Sequence, residues 1–187
     1  GTLFGVAVNG VPFDPGAAEF WQGNPRSGWQ YEALGGAVPL GLDANFAHVQ
    51  PSGAYHYHGM PVGLLSELGW RADSASPLVG YAADGFPIYA ITGRVNGRVV
   101  EMTSSYQLKS GTRPGGNQGP GGRYDGAFVE DYEYVANSGL LDACNGAMVT
   151  SADYPHGTYA YFLTQSFPVI PRCLRGTPDA SFRKERR

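Results

Sequence analysis

Three of the four histidines in this 187-residue chain fall in one short stretch, His48-Val49-Gln50-Pro51-Ser52-Gly53-Ala54-Tyr55-His56-Tyr57-His58-Gly59. Imidazole is the commonest protein ligand for transition metals and serves Zn, Cu, Fe and Ni alike. Alternating Tyr and His suits an extended strand, whose successive side chains point to opposite faces. His56 and His58 then share one face, and Tyr55 and Tyr57 the other, as core or supporting groups. Two imidazoles so placed can reach one ion, because the metal–nitrogen bond is only about 2.0–2.1 Å. The same pattern also describes a half-buried strand whose imidazoles bond to backbone or water.

The turn before the strand governs whether His48 joins the pair. Gln50-Pro51-Ser52-Gly53-Ala54 carries Pro where a type I turn presets φ and Gly where a left-handed residue follows. With Pro51, Ser52 and Gly53 as a three-residue loop, Gln50 faces Ala54 and His48 faces His56. Opposed residues lie on the same face, with Cβ atoms about 4.5–5.5 Å apart. A four-residue loop would instead pair His48 with Tyr55 and send it to the wrong face.

The elements around this hairpin read as short strands joined by many turns. Gly (28) and Pro (14) are abundant in the chain and charged residues are sparse, which disfavours a helical bundle. Thr2–Asn9 reads as a strand closed by the Asn9-Gly10 turn. Asp14-Pro15-Gly16 reads as the start of a short helix through Ala17, Ala18, Glu19, Phe20 and Trp21, with Asp14 as N-cap. Trp29–Leu34 is a strand, and Pro61–Trp70 a short helix with Leu64, Leu65 and Leu68 on one face. Leu78–Ala82 and Phe86–Ala90 flank an Asp84-Gly85 turn, and Asn96-Gly97 marks a second hairpin. Ser110–Gly122 is a long loop, followed by strands over Phe128–Val135 and Gly157–Leu163. The expectation is a mainly β, single-domain β-sandwich or barrel-like fold over residues 1–187, with a few short helices and long Gly/Pro-rich loops. The segment from about 177 to 187, with its Arg183-Lys184-Glu185-Arg186-Arg187 cluster, reads as a flexible, solvated tail.

A net charge of −3 gives no electrostatic case for nucleic acid or an anionic membrane. No hydrophobic run is long enough to span a bilayer as a helix. Cys144 and Cys173 lack the close spacing of a zinc or redox motif. In an extracytoplasmic protein they are expected to pair, and the composition suits periplasmic or secreted location; two buried free thiols are the alternative.

The motifs as a set resemble the YHYH protein family. The resemblance is carried by His48-Val49-Gln50-Pro51 with Tyr55-His56-Tyr57-His58-Gly59, by Gly80-Tyr81-Ala82-Ala83-Asp84-Gly85-Phe86-Pro87-Ile88-Tyr89, and by Tyr124-Asp125-Gly126 with Asp131-Tyr132-Glu133-Tyr134. It continues through Asp142-Ala143-Cys144-Asn145-Gly146, Gly157-Thr158-Tyr159-Ala160-Tyr161-Phe162 and Pro171-Arg172-Cys173, nearly the full chain. The resemblance implies a single exported domain, mostly bacterial, and names no reaction. It places His48, His56 and His58 in the naming motif. His156, beside the last strand, is a candidate fourth ligand. Asp84 is a candidate ligand or general base, with a turn-stabilising role as the alternative. Glu67 resembles only loosely the Glu of a cupin-type His-x-His site.

Three function classes follow. The first is an exported metal-binding protein with a three-histidine site on a β-hairpin, with copper handling favoured over zinc. The second is a metal-dependent hydrolase or oxidoreductase at the same histidines, with Asp84 or Glu67 as base. The third is a metal-free envelope binding or adhesion module presenting Trp21, Trp29 and Tyr31 to sugars. The partner in each case is a metal ion or a small-molecule ligand, and oligomeric state is open.

Overall fold

A computed structural model describes residues 1–50 and 53–184. Its strands are β1 (Gly5–Ala7), β2 (Pro12–Phe13), β3 (Gly16–Phe20), β4 (Gln30–Glu32), β5 (Ala47–Val49), β6 (Tyr55–Tyr57) and β7 (Gly80–Ala82). The second half adds β8 (Pro87–Ala90), β9 (Thr92–Val95), β10 (Arg98–Glu101), β11 (Tyr106–Leu108), β12 (Tyr132–Tyr134), β13 (Gly146–Val149) and β14 (Thr158–Leu163). One helix, α1 (Val62–Glu67), and short 3-10 turns complete the described residues.

The mainly β expectation with a few short helices holds, and the main sheet is open and does not close into a barrel. Eight strands form one mixed sheet in the order β13-β14-β8-β7-β1-β2-β6-β5, and three two-stranded ribbons surround it. β14–β8 and β2–β6 run parallel, and the other neighbours antiparallel. The outer strands β13 and β5 do not pair with each other, so the sheet does not close.

Alternation along β14 organises the core. Tyr159, Tyr161 and Leu163 join one buried cluster with Phe4, Phe13 and Ile88, while Ala160 and Phe162 join a second with Tyr89 and Met102. A strand buried on both faces needs apolar side chains at every position, and Tyr-Ala-Tyr-Phe-Leu supplies them. β1 and β7 meet where Gly5 opposes Ala82 and Ala7 opposes Gly80. A Cβ at Gly5 would lie 2.5 Å from the Tyr81 carbonyl oxygen, so the backbones approach only because no side chain stands there.

Several local expectations survive and two are corrected. The Asn96-Gly97 hairpin joins β9 to β10 with φ of 52° and 77° at its two central residues, as a type I′ turn requires. α1 buries Leu64 and Leu65 and stops before Gly69, whose φ is 73°. The helix expected over residues 15–21 is instead strand β3, paired with β4 through Gly16 opposite Glu32 and Phe20 opposite Gln30, followed by a 3-10 turn at Trp21–Gly23. Here tertiary pairing with a neighbouring strand outweighs weak helix propensity. Asp14 is accordingly no N-cap: it is 2 % exposed, its N–H donates to the Tyr57 carbonyl at 2.9 Å, and its carboxylate accepts from Lys184 at 2.6 Å.

The segment read as a solvated tail is docked as far as Lys184. Asp179 N–H donates to Ala83 and Lys184 N–H to Gly1, while Phe182 accepts from Leu3 N–H and Thr2 bridges Arg183. Residues 185–187 lie outside the described residues. Cys144 and Cys173 form a disulfide 29 residues apart in sequence. Closing such a loop stabilises the fold by roughly 3–4 kcal/mol in the chain-entropy account. No helix among the described residues is long and apolar enough to cross a membrane.

The long loop Ser110–Gly122 is anchored by a buried ion pair. Arg113 Nε and Nη2 donate to Asp131 Oδ1 and Oδ2, each at 2.7 Å. The same carboxylate accepts from Gly126 N–H at 2.9 Å and Phe128 N–H at 3.3 Å. Burial alone would raise the Asp131 carboxyl, but Arg113 and these amides hold it below the usual carboxylate range.

Candidate metal centre

The histidine hairpin lies at the β5 end of the sheet. β5 and β6 pair antiparallel with Ala47 opposite Tyr57, His48 opposite His56 and Val49 opposite Tyr55. Gln50 N–H donates to Ala54 at 3.0 Å, completing the register that the turn residues imply; Pro51 and Ser52 themselves lie outside the described residues. Ala47 and Tyr57 are buried in the core, Tyr57 against Phe13 of β2 at 5.5 Å. The pleat therefore sends His48 and His56 to the opposite face. His58 continues the ladder by donating its N–H to the Phe46 carbonyl at 2.7 Å, and its side chain returns to the face of His56.

The three rings meet edge to face, with centroids 4.6–4.8 Å apart. His58 Nε2 lies 2.9 Å from His56 Nε2 and 3.0 Å from His48 Nε2. The rings are aimed from behind. His48 Nδ1 donates to the Leu40 carbonyl at 2.7 Å, and His56 Nδ1 to the Ala54 carbonyl at 3.1 Å. A carbonyl only accepts, so both Nδ1 atoms carry the hydrogen and both Nε2 atoms present lone pairs to His58. His58 Nδ1 is buried without a well-formed hydrogen bond. A neutral His58 has one ring hydrogen, so it can satisfy at most one of its two Nε2 contacts.

Charging the cluster is a poor remedy. His56 and His58 are 2 % and 3 % exposed. Burial first, and then the neighbouring imidazoles, push His58 down to about 4. Burial likewise lowers His56, partly opposed by its Ala54 hydrogen bond and by Asp14. Neutral imidazoles with converging lone pairs are what a metal ion requires of its ligands.

The other candidates are elsewhere. Among the described residues, the group of side chains close enough to hold one ion is His48, His56 and His58. His156 is exposed in the β13–β14 connection, at the opposite end of the sheet from β5. Asp84 sits in the β7–β8 turn, where its carboxylate accepts from Tyr161 Oη at 2.5 Å and Gly176 N–H at 2.9 Å. Glu67 ends α1 and is exposed. Trp29 is buried, its Nε1 donating to Gln118 and its ring against Phe128, so Trp21, Trp29 and Tyr31 form no exposed row. Tyr55 donates to Asp43 at 2.6 Å, and Tyr57 Oη accepts from Asn9. The residue that sequence reasoning missed is Asp14, a buried carboxylate whose charge acts on His56 and His58. Its partner Lys184 is 170 residues away, and no local signal announces that contact.

Comparison with curated proteins and with solved structures found no match. The sequence model of one family does match, over residues 1–176, and so spans the hairpin, the sheet and the disulfide. The chain belongs to the YHYH protein family.

Proposed function

We propose that this protein binds one transition-metal ion through Nε2 of His48, His56 and His58, in an exported, metal-handling role. The observation that carries the reading is the convergence of three Nε2 atoms, two of them held as lone-pair donors by backbone carbonyls. Imidazole nitrogens bound about 2.05 Å from one ion sit about 2.9 Å apart at a right angle and about 3.3 Å apart at a tetrahedral angle. His58 Nε2 lies 2.9 and 3.0 Å from its two neighbours and all three ligand atoms lie within 4.8 Å of one another, near the spacing one ion demands; imidazole serves copper and zinc alike, and copper is the metal favoured here. Thiolates do not compete, because both cysteines are spent in the disulfide. That disulfide also supports an oxidising compartment, periplasmic or extracellular.

A catalytic reading of the same histidines needs a substrate cavity opening on the Nε2 atoms and a carboxylate beside them. The 860 Å³ cavity near this end of the molecule is lined by none of the three histidines, and neither Asp84 nor Glu67 joins them. Binding is therefore favoured over catalysis.

Metal analysis of untagged protein tests the proposal. About one copper ion per chain is expected. His56→Ala and His58→Ala should abolish uptake, and His156→Ala and Cys144→Ser should leave it intact in folded protein. Substoichiometric metal in the wild type, or uptake unchanged in both histidine variants, overturns it.

A further inference from the structure

Between α1, the loop after β14 and the segment leading into β5 lies a cavity of about 860 Å³, within the size range of small-molecule sites. Its walls come from segments far apart in sequence, including Glu32, Phe46, Trp70, Ile91, Tyr132 and Val169. Tyr132 and Phe167 stack at 3.9 Å with planes 2° apart, giving one flat aromatic side.

The backbone around this cavity is unusual. The apolar, non-glycine residues with left-handed φ among the described residues are Phe46 (53°), Ile91 (65°) and Val169 (58°). All three line the cavity. The remaining non-glycine cases are Asn and Gln, and Asn tolerates this region because its short polar side chain bonds locally. A β-branched residue there is a genuine outlier, and such outliers persist only where the surroundings hold them. Ile91 is pinned by bonds to Leu163 (2.8 Å) and Met102 (2.6 Å). Val169 is held by Thr164 and Ser166, and Phe46 by Asp43 and His58. Glycine would serve the backbone better at each position; the Ile91 side chain also packs in the core, whereas those of Phe46 and Val169 are only partly covered and stand in the cavity wall.

The lining also selects by charge. Glu32 is its one charged residue, and that carboxylate is already taken by Arg172 (2.7 Å) and the Leu34 N–H (2.7 Å). A charged ligand would enter a mostly apolar space whose remaining polar lining, from Ser66, Tyr132, Thr164, Gln165 and Ser166, is uncharged and offers no counter-charge. We propose that this cavity is a binding site for an uncharged aromatic or alicyclic small molecule, separate from the histidine cluster.

Fluorescence titration of the full chain with N-phenyl-1-naphthylamine, an uncharged aromatic probe, tests this. Saturable binding at one site per chain is expected. Ser66→Trp, at an exposed α1 position on the cavity wall, should weaken it about tenfold or more without altering the circular dichroism spectrum. Phe46→Gly should weaken the probe severalfold while leaving the melting temperature unchanged or higher, a split that a purely structural role of Phe46 would not produce. The anionic probe 8-anilinonaphthalene-1-sulfonate should bind about tenfold more weakly. Equal affinity for both probes, or full binding by Ser66→Trp, overturns the proposal. So does a wild-type dimer in sedimentation that Ser66→Trp disperses, since a second copy would then be the occupant.

Discussion

Two buried polar centres in this protein stand in opposite conditions. At Asp131, which is fully buried, the protein supplies every partner: a two-pronged guanidinium and backbone amides, with Arg113 also bonded to Asp125 and Gly121. At His58 the two neighbouring imidazoles present lone pairs to Nε2, and Nδ1 has no well-formed hydrogen bond, with only a looser approach to the Pro15 backbone and the more distant charge of Asp14. Unsatisfied buried polar groups are costly, so the two centres should respond differently to substitution. The satisfied centre holds a long loop in place. The unsatisfied one belongs to three imidazoles close enough together to hold an ion.

This contrast can be broken by mutation. The largest effect should come from Arg113→Ala, which strands the Asp131 charge and costs about 3–5 kcal/mol in denaturant unfolding. His58→Leu should change the metal-free stability by less than about 1 kcal/mol, because it removes a poorly satisfied group and leaves an apolar one. A His58 variant as damaging as the Arg113 variant would show that the cluster is structural.

Acid separates the two centres along the pH axis. Between the ordinary histidine value of 6.5 and about 4, the unfolded chain takes up a proton that buried His58 refuses. Stability should thus fall by about 3 kcal/mol as pH drops through that window, and His58→Leu should flatten the slope. The lowered Asp131 works at the other end: its contribution is complete above 3.8 and is lost only as pH falls further, through its folded value. A wild-type profile flat from pH 6.5 to 4 would contradict the assignment.

Metal should then rescue the unsatisfied centre alone. Free copper at about a hundred times its dissociation constant should add about 2.7 kcal/mol to the wild type and nothing to His58→Leu, by thermal unfolding. The smallest effect is expected at His156→Ala, within about 0.5 kcal/mol with or without metal, since that side chain is exposed.

The centre itself was legible in the chain because its geometry is local. Tyr-His alternation allots faces, and the residues from Gln50 to Ala54 set a register that pairs His48 with His56 across eight positions. Turn chemistry acts over that distance without help from the rest of the fold. The Asn96-Gly97 hairpin and the Leu64, Leu65 face of α1 were readable for the same reason. Less local features were not. Whether Gly16–Phe20 coils or extends depends on β4 being present to pair with it, and a run with little intrinsic preference follows its neighbour.

What the amino-acid order decided alone is therefore the hairpin, its register and the common face of three imidazoles. Tertiary structure decided that this hairpin joins an open eight-stranded sheet through the parallel β2–β6 pair, and that His156 belongs to the far edge. It also placed Asp14 and Lys184 beside the site from the two ends of the chain, and drew Phe46, Ile91 and Val169 into one wall. The physical reason is the range of the forces involved. Dihedral preference and turn hydrogen bonds act between near neighbours, whereas burial rewards whichever distant segments fit, and that fit exists only once the chain has folded.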